Sequence, residues 1–204
     1  LFIKMIFSSI EFILFFLSFT LLIKLFPNYQ KHIIITSSLF FYSYWNLAFT
    51  FLIIYLFLST FFLIKKKINL NISIPIILLP LFFFKYSSFA LGFIKTDFFD
   101  YFLYTGELPL AISFITFTAI AILIDIKNKQ FNEELTFVNF TEFLLYFPQL
   151  IAGPILRAKE LVPQLKNKII FKNENIRFGI LLFSVGFIKK IFLADNIAII
   201  IDPY

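Results

Sequence analysis

The chain has 204 residues, 60% hydrophobic and only 15% charged, with a formal net charge of +6 and a mean hydropathy of +0.92. A soluble domain is nearer half apolar and about a quarter charged, so this is the composition of a polytopic membrane protein. The positive balance is explained first by cytoplasmic loops, and no nucleic-acid partner is expected.

The first apolar run extends from Met5 to about Phe26, with Glu11 inside it and Lys24 and Pro27 at its end. Whether Glu11 snorkels or is paired stays open at this level. The second run, Ile33 to Ile64, carries no charge. As one helix it would be about 48 Å long, against a hydrocarbon core of about 30 Å. A break at Tyr44-Trp45-Asn46, a polar and aromatic cluster suited to the membrane interface, resolves the excess. Lys65-Lys66-Lys67 follows. The stretch from Ile72 to Phe84 holds Pro75 and Pro80 and predicts a kinked or short helix. An acidic loop with Asp97, Asp100 and Glu107 comes next. Leu108 to Ile124 reads as a spanning helix, with Pro109 in its first turn and Asp125 at its interfacial end. Phe143 to Leu156 is apolar but broken, and a basic run through Arg157 and Lys159 closes at Pro163-Gln164. The last membrane portion is Ile176 to Ile188, then Lys189-Lys190, then Ile191 to Ile201.

Charge asymmetry orients these pieces, because positively charged loops stay in the cytoplasm. The triple lysine and the Arg157–Lys172 loop are expected inside, with Lys31 and His32. The N-terminus, the Trp45 turn and the Asp97–Glu107 loop are expected outside. The scheme requires the break at Trp45.

There is no cysteine, which excludes disulfides, thiolate nucleophiles and Cys-ligated metals. The 34 phenylalanines accompany abundant Ile, Lys and Asn. An AT-rich coding sequence explains them better than a functional aromatic box. No metal cluster and no Gly-rich phosphate loop is present.

The broken segment Tyr146–Leu165, YFPQLIAGPILRAKELVPQL, is the most informative stretch. A proline inside a helix removes a backbone hydrogen bond and clashes with the preceding turn, at a cost of ~3 kcal/mol. In lipid such a break survives only inside protein or beside a wet cavity. Pro148, Gln149, Gly153 and Pro154 therefore read as the wall of a path, with a re-entrant backbone. Arg157 reads either as a positive-inside anchor or as a bidentate ligand for a phosphate-bearing donor. Lys189, Lys190 and Asp195 lie among apolar residues, where ionisable groups are costly and mark wet cavities or partners. A direct Lys–Asp pairing over five or six positions is off-register for an α-helix and is not expected.

Three segments, in order and sensibly spaced, carry a family resemblance. They are Leu-Pro-Leu-Ala-Ile-Ser-Phe-Ile-Thr-Phe from Leu108 on to Asp125, Phe147-Pro148-Gln149 through Gly153-Pro154 to Arg157, and Gly186-Phe-Ile-Lys189-Lys190 on to Ala194-Asp195-Asn196. Together with the opening segment they resemble the membrane-bound O-acyltransferase family, in the branch that acylates bacterial envelope polymers.

The resemblance implies an all-α, polytopic protein of the bacterial inner membrane, with several short or proline-broken helices. It implies transfer of an acyl group, acetyl above others, from a cytoplasmic donor such as acetyl-CoA or an acyl carrier toward an envelope polysaccharide. Alginate and peptidoglycan lead as acceptors, and D-alanylation of teichoic acid is a close variant. Membrane lipid, the polysaccharide and a periplasmic or membrane-anchored transferase are the implied partners, with no bound cofactor. Residues 5–204 are expected to form the N-terminal portion of one acyltransferase domain, with Met5 near the natural start and the chain continuing past Tyr204. The family's catalytic base is a histidine in a membrane helix of the C-terminal half. The single histidine, His32, sits beside Lys31 in a short loop and does not match, so no catalytic residue is assigned within this chain. A transporter or channel is the rival reading, since broken helices with charges also mark transport pathways, although no internal repeat pairs the broken segments. A truncated, non-catalytic product is the third.

Overall fold

The computed structural model describes residue 5 and residues 7–91, 109–131, 135–150 and 156–201, and every regular element among them is helical. The chain divides into two compact units, Leu1–Met5 with Asn28–Asn167, and Ile6–Pro27 with Lys168–Tyr204.

After a short 3-10 turn, Pro27–Tyr29, the described residues of the first unit form the helices α2 (Gln30–Trp45), α3 (Leu47–Lys65), α4 (Leu70–Leu91), α5 (Ile112–Lys127), α6 (Phe137–Leu144), α7 (Phe147–Leu150) and α8 (Ala158–Lys166). The long apolar run does break at Trp45: Asn46 is extended, at φ −165° and ψ 120°, and donates its N–H back to the Tyr42 carbonyl. His32 lies in the first turn of α2 and not in a loop; it is exposed, its ring 6.4 Å from that of Tyr29.

Of the two expectations for the Pro75–Pro80 stretch, the short helix is overturned, since α4 runs 22 residues through both prolines. Each proline lacks the N–H that would answer the carbonyl four residues earlier, but α4 is held against α3 and α5. Tertiary packing outweighs local propensity here. The helix expected from Leu108 instead starts at Ile112. Ala111 sits at φ 56°, in the left-handed region, and Tyr42 donates its hydroxyl to the Leu110 carbonyl, which fixes this turn ahead of the helix. Pro109 thus precedes the helix. Asp125 lies in the last turn of α5, which ends at Lys127, and its side chain is buried. The loop with Asp97, Asp100 and Glu107 lies outside the described residues.

The core of this unit is aromatic where α3 meets α6. Phe57 and Phe61 stand one turn apart on α3 and meet Phe137 and Phe140 of α6, with ring centroids 5.0–5.5 Å apart. Phe137 meets both α3 rings edge-on, the arrangement favoured by ring quadrupoles. Part of the phenylalanine excess is therefore packing material. In α8 the apolar positions Ala158, Leu161, Val162 and Leu165 are buried, while Lys159, Glu160 and Lys166 are exposed. Pro163 lies within this helix rather than closing it.

The second unit holds α1 (Ile10–Leu25), α9 (Asn173–Ile188), a π-helical turn (Lys189–Asp195) and α10 (Asn196–Ile201). Helix α1 starts later than its apolar run because Ser9 caps it, its Oγ accepting from the Phe12 N–H at 3.2 Å. Glu11 falls in the first turn, where a negative charge suits the helix dipole. From Asn173 to Ile201 the backbone is helical without interruption, and large apolar side chains such as Phe178, Leu181, Phe183 and Phe192 are exposed. No single helix among the described residues is long and apolar enough to cross a membrane.

Truncating Phe140 to Ala empties the centre of the α3–α6 cluster and is expected to cost ~3–5 kcal/mol. Phe117, which is exposed on α5, should tolerate the same change within ~0.5 kcal/mol. Thermal unfolding of the two variants in one detergent checks the contrast.

Candidate functional site

The broken segment is built by two short helices and three protein-derived answers to orphaned backbone groups. Thr136 opens α6, its Oγ1 accepting from the Asn139 N–H at 3.2 Å. The helix stops at Leu144, four residues before Pro148, whose missing N–H leaves the Leu144 carbonyl without its helical donor. The Leu145 N–H still reaches the Thr141 carbonyl at 3.0 Å, and a new turn begins at Phe147.

At the start of that turn the Phe147 N–H would be an orphan. It donates instead to Ser38 Oγ of α2 at 3.2 Å, and the Ser38 hydroxyl itself donates to the Ile34 carbonyl at 2.7 Å. On the other side of the break, Gln149 turns its buried amide back so that Nε2 donates to the Phe143 carbonyl at 2.9 Å. The Phe41 ring packs on the Phe147 ring, with centroids 5.6 Å apart. The break at Pro148 is thus answered inside protein, as a proline-broken segment in an apolar setting requires.

A polar set lies on the same face. Lys31 of α2 donates from Nζ to Asn139 Oδ1 of α6 at 2.7 Å. One turn on, Glu142 is fully buried, and neither of its carboxyl oxygens has a hydrogen-bond partner. Burial pushes this carboxyl up to about 7, with the Lys31 charge pulling partly the other way. Gln149 Oε1, Asp125 Oδ2 and Thr116 Oγ1 are further buried atoms without a partner. Such atoms are rare in folded proteins and call for an explanation.

Of the sequence-derived candidates, Pro148 and Gln149 sit together at the break, while Gly153 and Pro154 lie outside the described residues. Arg157 is exposed and extended at the start of α8, where it donates from Nη1 to Gln130 Oε1 at 3.3 Å. Lys189, Lys190 and Asp195 belong to the second unit. There the expectation of no pairing is overturned: Lys190 Nζ lies 2.8 Å from Asp195 Oδ2, both side chains about half exposed. Residues 189–195 form a π-helical turn, whose i→i+5 pattern brings residues five apart into register. Ser38, Asn139 and Glu142 went unnoticed in the sequence. Glu142 alone carried a signal there, as a lone acid inside an apolar run. Among the described residues no three or more His, Cys, Asp or Glu gather as metal ligands.

The chain is 31% identical, over 97% of its length, to a Pseudomonas putida protein named "Probable alginate O-acetylase AlgI", of which it covers 44%. It is 31% identical over 84% of its length to the peptidoglycan O-acetyltransferase of Helicobacter pylori, covering 40% of that protein. An Azotobacter vinelandii protein, again named "Probable alginate O-acetylase AlgI", is 33% identical over 97% of the chain, which covers 43% of it. No family model and no solved structure matches the chain. These likenesses support the resemblance to the membrane-bound O-acyltransferase family, and the chain spans less than half of the relatives' length.

Ser38→Ala leaves the buried Phe147 N–H unanswered, a loss of ~1–3 kcal/mol. Amide exchange at Phe147 is expected to speed up by about tenfold or more, with the α3–α6 aromatic cluster unaffected. Unchanged protection at Phe147 would mean that Ser38 does not hold the break.

Proposed function

We propose that this chain is part of a membrane O-acyltransferase that moves an acyl group, acetyl above others, from a cytoplasmic donor toward a cell-envelope polysaccharide. The observation that carries the reading is its similarity, along nearly its whole length, to proteins named for O-acetylation of alginate and peptidoglycan. Either polymer is the acceptor in this reading, and acetyl-CoA or an acyl carrier is the donor. A periplasmic or membrane-anchored transferase receives the acyl group where a second protein is used.

The inner membrane is the proposed location. In this reading the apolar runs of the sequence supply the membrane segments. The triple lysine and the Arg157–Lys172 loop face the cytoplasm, and the Asp97–Glu107 loop faces out, as charge bias favours. Pro148, Gln149, Gly153 and Pro154 form one wall of the acyl path. The answered backbone at Phe147 and Phe143 supports this, since an open path needs irregular backbone held by protein. Arg157 meets the donor's phosphate through its planar fork. Lys189, Lys190 and Asp195 are candidate contacts for the donor.

Replacing Pro148 and Pro154 with leucine, in the protein as its gene encodes it, restores helical backbone bonds and adds apolar surface. Membrane abundance should stay normal while polymer acylation falls at least tenfold; wild-type acylation in the double variant would remove the wall from the mechanism. Arg157→Lys keeps the charge but loses bidentate geometry, so full activity in it would leave Arg157 an anchor only.

Orientation is checked separately. The absence of native cysteine allows single cysteines at Lys66, Asp100 and Lys166. An impermeant thiol reagent applied to intact spheroplasts is expected to label position 100 alone. Labelling at 66 or 166 with protection at 100 reverses the orientation.

A further inference from the structure

Lys31 has a choice of partners and takes the weaker one. Its ammonium donates to the neutral Asn139 amide, although the Glu142 carboxyl lies within electrostatic reach and stands one turn further along the same face of α6. A charge-assisted bond to an ionised carboxylate is roughly twice as strong as one to a neutral acceptor. An ionised Glu142 would draw Lys31 away from Asn139. A carboxyl that is buried, unpartnered and bypassed by a neighbouring ammonium favours the neutral acid.

Of the charged groups packed around α6, Lys31 is the one that acts on Glu142; Lys65 of α3 lies over the Phe61 ring, 5.3 Å from its centroid. Helix α3 brings the Phe57 and Phe61 rings to α6. Helix α8 packs on α6 and buries Ala158, Leu161, Val162 and Leu165. From α5 the buried acid is Asp125, whose Oδ2 has no hydrogen-bond partner. Glu142 and Lys31 therefore form the one carboxyl–ammonium couple among the described residues of this face.

We propose that Glu142 is a proton-binding switch that moves Lys31 between Asn139 and the carboxyl, and so ties the grip of α2 on the broken segment to protonation. In the proton-bound state the carboxyl O–H is intact and Lys31 is held by Asn139. On deprotonation the O–H bond breaks, the proton passes to bulk water, and Lys31 moves to the new carboxylate, releasing Asn139. Lys31 and Ser38 lie two turns apart on α2, so the helix that carries the switch is the helix that answers the Phe147 N–H.

Burial holds the folded carboxyl near 7, above its ordinary value of 4.5. The folded state thus binds the proton more tightly than the unfolded one. The stability from this group is complete below about 4.5 and is lost as pH rises through about 7.

The test uses the whole protein in lipid nanodiscs, with Tm measured from pH 5 to 8.5. Wild type should lose stability across this range. Glu142→Gln, a permanent mimic of the neutral acid, should flatten the profile, matching wild type at pH 5 and exceeding its Tm by about 5 °C at pH 8. Isotope-edited infrared spectra of 13C-glutamate protein should show a protonated-carboxyl band that vanishes with a midpoint near 7 and is missing in Glu142→Gln. Lys31→Met should raise that midpoint, and Asn139→Ala, which frees Lys31 for the carboxylate, should lower it. A wild-type spectrum with no carboxyl titrating above about pH 6, a Glu142→Gln profile identical to wild type, or a midpoint indifferent to both Lys31→Met and Asn139→Ala would each overturn the switch. The spectra of those two variants decide the matter even where Glu142→Gln does not fold.

Discussion

A peptide group that loses its helical partner in an apolar setting must find another, because leaving it bare costs more than most side-chain contacts return. That constraint organises the first unit around the Leu145–Tyr146 break. Ser38 must reach the Phe147 N–H, so α2 is fixed in rotation and height relative to α6 and α7. Gln149 must fold back on the Phe143 carbonyl, so the turn after Pro148 cannot swing away. Phe41 on Phe147 fills the space next to these bonds with apolar contact.

How much of this was legible depends on whether the signal is local. The break at Trp45 follows from length alone, since 32 uncharged residues from Ile33 to Ile64 exceed a bilayer as one helix. The break at Pro148 follows from proline chemistry. The same chemistry misleads at Pro75 and Pro80, where packing against α3 and α5 carries one helix through both. Likewise Pro109 looks like a first-turn proline, yet the left-handed Ala111 and the Tyr42–Leu110 bond start α5 three residues later. Tyr42 and Leu110 are 68 positions apart, and no local pattern announces such a bond. Ser38 is equally silent, one serine in a helix where serine is unremarkable until the chain returns 109 residues later to use its oxygen.

The candidate residues divide along the same line. Pro148 and Gln149 could be named because the break is written in their identities. The burial of Asp125 in the last turn of α5 is likewise set by packing and not by its place at the end of an apolar run. Glu142 was passed over because neither its burial nor its distance from Lys31 is a property of the linear chain.

The Lys190–Asp195 pair makes the point most sharply. In an α-helix, residues five apart point about 140° away from each other, so the spacing argued against contact. The argument failed because it assumed the period. A π-helical turn over Lys189–Asp195 changes the local repeat and closes the pair at 2.8 Å. In a helix whose other side chains are mostly Phe, Ile and Leu, a bonded lysine and aspartate present less uncompensated charge to apolar surroundings than two separate ions do. Lys189, next to them, is left as the net charge of the turn. The π turn and the Ser38 cap are therefore two forms of one solution. Each lets an apolar helical protein carry a polar break, one by rewinding the backbone to pair two charges, the other by borrowing a hydroxyl from a neighbouring helix.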